Sequence, residues 1–248
     1  MSPDIWPPDT GRLIFDTLDS TNAEAVRQIK AGAELPLWIL TRQQTAGRGR
    51  RGNAWSDPVG NFAATHVMRT NGDAVAAAQR SFIAALALRD AFVALTGRED
   101  VFSLKWPNDV LLRGRKLVGI LLESHNDAEF LAIGIGINLQ TAPEPNATNT
   151  TPPCALKPEL GLSISPDDFL PYLATAFAAR EARFSADGFA AIRADWLAHA
   201  ARLGEQITAR LPNREITGRF DTIDDFGSLI LTEQGKTHTI PAAEVYFP

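Results

Sequence analysis

Six consecutive residues, Gly47-Arg48-Gly49-Arg50-Arg51-Gly52, join a loosened backbone to three cations that no working pH will discharge. A loop built this way can fold over a phosphate-bearing small molecule and hold it. Downstream stand Lys105-Trp106-Pro107-Asn108-Asp109 and Lys116. Lys116 offers a movable cation. Asp109 offers a carboxylate that could share magnesium with phosphate oxygens. The combination points to a site that handles a nucleotide. Each part alone has a plainer reading. The loop could be a solvated basic turn, Asn108-Asp109 an ordinary turn, and Lys116 a strand lysine facing water.

The hexapeptide matches the Gly-x-Gly-x-x-Gly dinucleotide fingerprint literally, but that fingerprint must open a helix. Here the run Asn53-Ala54-Trp55-Ser56-Asp57-Pro58-Val59-Gly60 follows, rich in turn formers and broken by Pro58. No glycine is followed at the Walker spacing by Gly-Lys-Ser/Thr.

The elements that must position these residues are legible from periodicity. Ser20-Thr21-Asn22-Ala23-Glu24 reads as a helix start, with Thr21 as N-cap and Glu24 closing a capping box. Ala25, Val26 and Ile29 form its apolar stripe, and Gly32 stops it. Residues 37–41 predict a buried strand that delivers the chain into the Gly/Arg loop, and 61–68 a second strand. Residues 74–95 carry the longest helical pattern, ended by Gly97. Residues 101–106 predict a strand. Strands 109–112 and 116–123 form a hairpin across Arg113-Gly114-Arg115, and 130–139 another strand containing Gly134 and Gly136. The Pro-, Asn- and Thr-rich stretch 141–166 reads as a long surface loop. Ser165 and Pro166 open a helix pair at about 167–184 and 188–201. After Gly204, short strands at 206–211, 215–223, 228–232 and 237–240 predict a small β-barrel tail docked on the main domain.

Bulk properties narrow the function classes. The chain has 248 residues, 45% hydrophobic and 21% charged, with a net charge of −5. That balance suits a globular protein and disfavours general nucleic-acid binding, which draws on many Lys and Arg. No apolar run is long enough to span a bilayer. The N-terminus lacks a basic segment followed by an apolar one, so a cytoplasmic location is expected. Cys154 is the single cysteine, which excludes an intrachain disulfide and a Cys-rich zinc site. The sequons at Asn146 and Asn149 are read as polar loop.

The ordered set of motifs resembles the biotin protein ligases. The matching segments are Asp19-Ser20-Thr21-Asn22, Gln44 through Gly52, Trp55, Lys105 through Asp109, Lys116 through Leu121, and Gly134 through Leu139. The resemblance is strong over about residues 13–140 and weak in the β-tail. It implies an α+β fold, a mixed sheet with flanking helices as in the class II synthetases, plus an SH3-like C-terminal barrel. Domains are expected at 1–203 and 204–248.

The resemblance also implies a reaction. ATP adenylates biotin to biotinyl-5′-AMP with release of pyrophosphate, and a lysine of a carrier domain then takes the biotin. Lys116, Arg48 and Arg50 are the implied catalytic residues. Ser20, Thr21, Asn22, Gln44, Gly47, Gly49 and Gly119, with Arg48, Arg50 and Lys116, would bind biotin. Arg50, Arg51, Trp55, Asn108, Lys116 and Asn138 would bind the nucleotide, Asn138 reading the adenine edge. Asp109 is the candidate Mg²⁺ ligand. Residues 47–55 would order over the ligand as a lid, with Trp55 packed on the adenine. The expected partner is the biotin carboxyl carrier domain of an acyl-CoA carboxylase, and the enzyme a monomer or homodimer. Only about a dozen Pro-rich residues precede the pattern, so no DNA-binding regulation is expected. The rivals are a lipoyl or octanoyl transferase of the same fold, and a protein that binds biotin or nucleotide without turnover.

Overall fold

The computed structural model describes residues 6–49, 52, 54–70, 72–144 and 151–247. Seven strands form one sheet: β1 Gly11–Phe15, β2 Leu37–Thr41, β3 Phe62–Arg69, β4 Phe102–Lys105, β5 Asp109–Leu112, β6 Arg115–His125 and β7 Phe130–Ile137. Their order is β1-β2-β3-β7-β6-β5-β4. The β1–β2 pair is parallel and the others are antiparallel. The sheet is therefore mixed, as expected. Strand β1 is an addition, too short and too exposed to show a period in the sequence.

Strand alternation divides the apolar side chains between two faces. Leu37, Ile39, Val67 and Ala132 pack with Ala25 of α1, Thr21–Lys30. Trp38, Leu40, Phe62 and Ala64 face the other way into the main core. That core is built against α2, Ala74–Thr96, and α4, Pro166–Ala198. Cover on both faces explains why β2 is buried at every position. Because α1 lies over β2, β3 and part of β7, the rest of that face, toward β6, β5 and β4, is left for a site.

Helix ends follow local chemistry at two of the three long helices. Asp73 caps α2 by accepting from Ala76 N, and Gly97 ends it in the left-handed region at φ 67. Ser165 caps α4, with Pro166 in its first turn. The expected helix pair is present within α4, as two helical segments that meet at a kink at Gly188, where φ 71 and ψ −176 are not helical.

The capping box at α1 is not formed. Ser20, in extended conformation, is the N-cap, and no side chain of that position caps the helix. Instead Gln44 Oε1 accepts from Thr21 N at 3.0 Å. A side chain 23 residues away satisfies a helix N–H that sequence reasoning assigned to a neighbour.

The stretch expected as surface loop is partly buried. It holds a short helix α3, Leu156–Leu160, and Cys154, Ala155 and Leu156 are all at or below 2% exposure. A five-residue helix is too short to show a period.

Five further strands make the C-terminal antiparallel sheet: β8 Gln206–Arg210, β9 Glu215–Ile223, β10 Leu229–Glu233, β11 Lys236–Ile240 and β12 Glu244–Tyr246. Their order is β11-β10-β9-β8-β12. The sheet shares the main core, with Phe220 against Trp196, and one turn adds directed hydrogen bonds. Trp106 Nε1 donates to Gly227 O at 2.9 Å, and Gln79 Nε2 to Asp225 O at 3.0 Å. Gly227 has φ +83, and a Cβ there would lie 2.7 Å from the Phe82 ring.

Candidate active site

The floor of the site is a single rung of the sheet. Lys105 pairs with Asp109, Asp109 with Gly119, and Gly119 with Gly136. Cross-strand partners share a face, so this row sets two charged side chains beside two positions with no side chain. The Trp55 indole lies on the bare pair. A Cβ at Gly136 would come within 2.3 Å of its Cε2, and one at Gly119 within 2.8 Å of its Cζ3. Trp55 Nε1 is buried there without a hydrogen-bond partner. Above this floor is a cavity of about 640 Å³.

Lys116 reaches the same face through a register shift. Val110 pairs with Val118, but Leu111 pairs with Lys116, so β6 carries one extra residue. A bulge of this kind turns the preceding side chain to the opposite face. Lys116 thereby joins Asp109, with Nζ 2.7 Å from Oδ1. The approach is an ion pair, since Oδ1 receives no well-angled hydrogen bond. Lys105 Nζ stands 3.9 Å from Asp109 Oδ2 and donates to Thr151 Oγ1 at 2.7 Å. Burial pushes the Lys105 ammonium below the usual lysine range, and Lys116 adds repulsion while Asp109 opposes it. Two lysines thus flank the one carboxylate of this rung and can face an anion that enters beside it.

The two asparagines play different parts. Asn108 Nδ2 donates to Ile120 O, and Ile120 N returns a bond of 3.2 Å to Asn108 O, which pins the turn after β4 to β6. Asn138 is 2% exposed, with Nδ2 donating to Cys154 O at 3.0 Å. Its Oδ1 has no protein partner, and Asn138 lines the cavity. That leaves an acceptor for an exocyclic amine.

The other end of the cavity is closed by the start of α1 and the base of the loop. Ser20, Thr21, Asn22, Gln44, Arg48 and Gly49 all line it. Gln44 N donates to Asp57 Oδ2 at 2.9 Å, and burial pushes the Asp57 carboxyl up to about 6. Trp55 N donates to Gly47 O at 3.0 Å, which closes the loop at its neck. A Cβ on Gly47 would lie 2.8 Å from Trp55 O, so that neck needs glycine. Arg48 points to Glu123 at 3.4 Å. Arg50 and Arg51 lie outside the described residues, as does the middle of the expected lid.

Several residues that shape the site escape sequence reasoning. Lys105 belongs to a matching motif, but its position along the chain gives it no role. Thr151 and Pro153 form a wall because Lys116 N donates to Pro152 O and Cys154 N to Lys116 O. Ala243, Glu244 and Val245 reach the cavity from the C-terminal sheet. Of these, only Lys105 has a signal in the sequence, a charge at the end of an apolar strand.

Asp109 is the residue expected to hold magnesium. Among the described residues no three His, Cys, Asp or Glu side chains gather as a metal site. Magnesium at nucleotide sites is commonly held by one or two carboxylates with phosphate oxygens and water. Asp109, with Oδ1 buried and lacking a hydrogen bond, fits that lesser role.

Known proteins resemble this chain in sequence and in fold. Residues 14–139 match the model of the biotin/lipoate A/B protein ligase family, and residues 203–247 that of the biotin protein ligase C-terminal domain. A biotin–[acetyl-CoA-carboxylase] ligase of Paracoccus denitrificans is 50% identical over 234 residues, covering 92% of this chain and 97% of that one. A protein of the same description from Mycobacterium tuberculosis is 31% identical, with 91% and 85% covered. Among solved structures, a biotin protein ligase of Aquifex aeolicus in complex with biotin and ATP superposes with a TM-score of 0.81. It is 22% identical and covers 95% of this chain and 97% of that one.

Proposed function

This chain belongs to the biotin protein ligase family, and from that premise we propose how its own residues adenylate biotin and pass it to a carrier lysine. In the first step a biotin carboxylate oxygen attacks the α-phosphorus of ATP, and pyrophosphate leaves with the electrons of the broken P–O bond. In the second a neutral lysine amine of the carrier attacks the acyl carbon, and AMP leaves. The carrier is the biotin carboxyl carrier domain of an acyl-CoA carboxylase.

The observation that carries this reading is the Lys105–Asp109–Lys116 charge cluster beside the glycine floor. Two anions must meet, and the barrier falls if preorganised cations stand where charge develops. Lys116 can leave Asp109 to follow that charge, because an ammonium on a flexible stem has no fixed hydrogen-bonding fork. Lys105 is held more rigidly by burial and Thr151, and supplies a fixed field. Asn138 Oδ1 is suited to the adenine amino group. Thr21, Gln44 and Arg48 are suited to the polar ring of biotin. Magnesium, held by Asp109 and phosphate oxygens, would offset charge on the departing pyrophosphate. Arg50 and Arg51 are assigned by resemblance to the same phosphates.

Pyrophosphate–ATP exchange with biotin, with lipoate and with neither acid tests the reading. Exchange that requires biotin is expected. Exchange with lipoate alone would reassign the substrate, and none with either acid from folded protein would overturn the activity.

A further inference from the structure

Asn22 and Arg48 line the cavity, and both end on one oxygen of a residue that does not. Glu123 Oε2 accepts from Asn22 Nδ2 at 2.7 Å and stands 3.4 Å from Arg48 Nη2. Strand alternation puts Glu123 on the face of Gly119, roughly 13 Å further along β6 at ~3.3 Å per residue. Glu123 thus marks the end of the cavity remote from the lysines. Behind Asn22 lies Thr65, fully buried, with Oγ1 2.6 Å from Asn22 Oδ1 and 2.8 Å from Thr21 Oγ1. Asn22 also fills the space over Gly134, where a Cβ would lie 2.4 Å from its Oδ1.

Proton counting gives this chain of groups a direction. A carboxylate only accepts, so Asn22 must turn Nδ2 to Glu123 and Oδ1 to Thr65. The single Thr65 proton then goes to that Oδ1. The 2.8 Å contact with Thr21 can be a hydrogen bond only if Thr21 donates. Thr21 Oγ1, its proton used, keeps an acceptor lone pair, and Thr21 lines the cavity. Gln44 Oε1 accepts the Thr21 backbone N–H at 3.0 Å and stands 3.3 Å from the hydroxyl, a longer contact that also asks Thr21 to donate and leaves its acceptor lone pair free.

We propose that Glu123 is a positioning residue that sets the donor–acceptor direction of the closed end, so that the Thr21 hydroxyl accepts from a ring N–H of the bound acid. The inference rests on the ligase reading and deepens it. The favoured substrate is a carboxylic acid whose far end carries an N–H donor, as a cyclic urea does and a dithiolane does not. Glu123 acts through Asn22, Thr65 and Thr21, and it holds Arg48 at the same end.

Glu123→Gln tests this, because an amide can donate or accept and no longer forces the direction. The readout is biotin-dependent pyrophosphate exchange. The KM for biotin should rise about tenfold, while the KM for ATP and kcat stay within about twofold. Discrimination against biotin methylated on its ureido nitrogens should narrow. In a Thr21→Val background the same substitution should add little. An unchanged biotin KM, equal shifts in both KM values and kcat, or additive effects with Thr21→Val would overturn the proposal. Absence of exchange in the unsubstituted protein would instead overturn the ligase reading, and this inference with it.

Discussion

At the scale of single residues, the site works by contrast between bare and charged positions. Gly119 and Gly136 are cross-strand partners, and the flat space they leave is filled by the Trp55 indole. An aromatic ring seated on glycine backbone, with an unpartnered Nε1, should report on anything that enters beside it. Adding biotin and ATP should shift the tryptophan emission of the protein, and Trp55→Phe should remove most of the shift. A full shift in that variant would show that Trp55 does not meet the ligand. Lys116 stands at the other extreme, a movable cation 2.7 Å from its counter-ion. Lys116→Met should lower pyrophosphate exchange by about 100-fold or more, on the scale seen for lost transition-state donors. The thermal midpoint should hardly change, since the side chain is one third exposed at 32%. A small loss of exchange would place the charge stabilisation elsewhere.

At the scale of elements, β3 shows how one strand serves two faces. Thr65 points to the site and its neighbour His66 into the core, between the rings of Trp38 and Phe177, each with centroids 4.6 Å away. Burial alone holds the His66 imidazole down to about 3. The sign follows from linkage. Between the unfolded value near 6.5 and the folded value the unfolded chain binds a proton that the native state refuses, so stability falls as pH drops through that window. The loss should reach a few kcal/mol, since each tenfold difference in proton affinity between the two states is worth about 1.4 kcal/mol. His66→Phe should flatten the acid limb of a denaturant-midpoint profile measured from about pH 7 to about pH 4, the span in which an ordinary imidazole takes up its proton. An unaltered slope would assign the acid sensitivity to other groups. The neighbouring helix α4 is tied to α2 by charge as well as by packing. Arg180 pairs with Asp90 at 2.6 Å and Arg80 with Glu181 at 2.6 Å, while Arg180 also pairs with Asp195 within α4 at 2.5 Å.

At the scale of the whole molecule, the C-terminal sheet completes the cavity with Ala243, Glu244 and Val245. Its docking turn is therefore coupled to the site. Gly227→Ala places a Cβ 2.7 Å from the Phe82 ring at a backbone φ of +83. The two effects together should cost roughly 1–3 kcal/mol. Urea unfolding should show the lowered midpoint, and the KM for ATP or the rate of transfer to the carrier should worsen in the folded variant. A destabilised variant with unchanged kinetics would mean that the sheet only supports the fold. Deleting residues 205–248 should abolish adenylation or transfer, and retention of both in folded protein would sink a functional role for the sheet.

The sequence by itself determined whatever depends on neighbours in the chain. Periods of 2 and 3.6 placed β2, α2, the β5–β6 hairpin and the start of α4, because side-chain alternation and capping act over a few residues. The ordered motifs marked residues that line one cavity and implied the family. Tertiary structure decided what depends on closure. The register shift between Val110 and Leu111 turns Lys116 into the cavity, where the sequence pattern left both faces open. The Thr21 amide and hydroxyl are claimed by Gln44 and Thr65, which displaces the expected capping box. Thr151 reaches Lys105 across 46 residues, and Gly227 reaches Trp106 across 121. Glu123 carries no local mark at all. It looks like one more polar residue near a strand end, and only the folded sheet brings Asn22 and Arg48 to the same carboxylate oxygen.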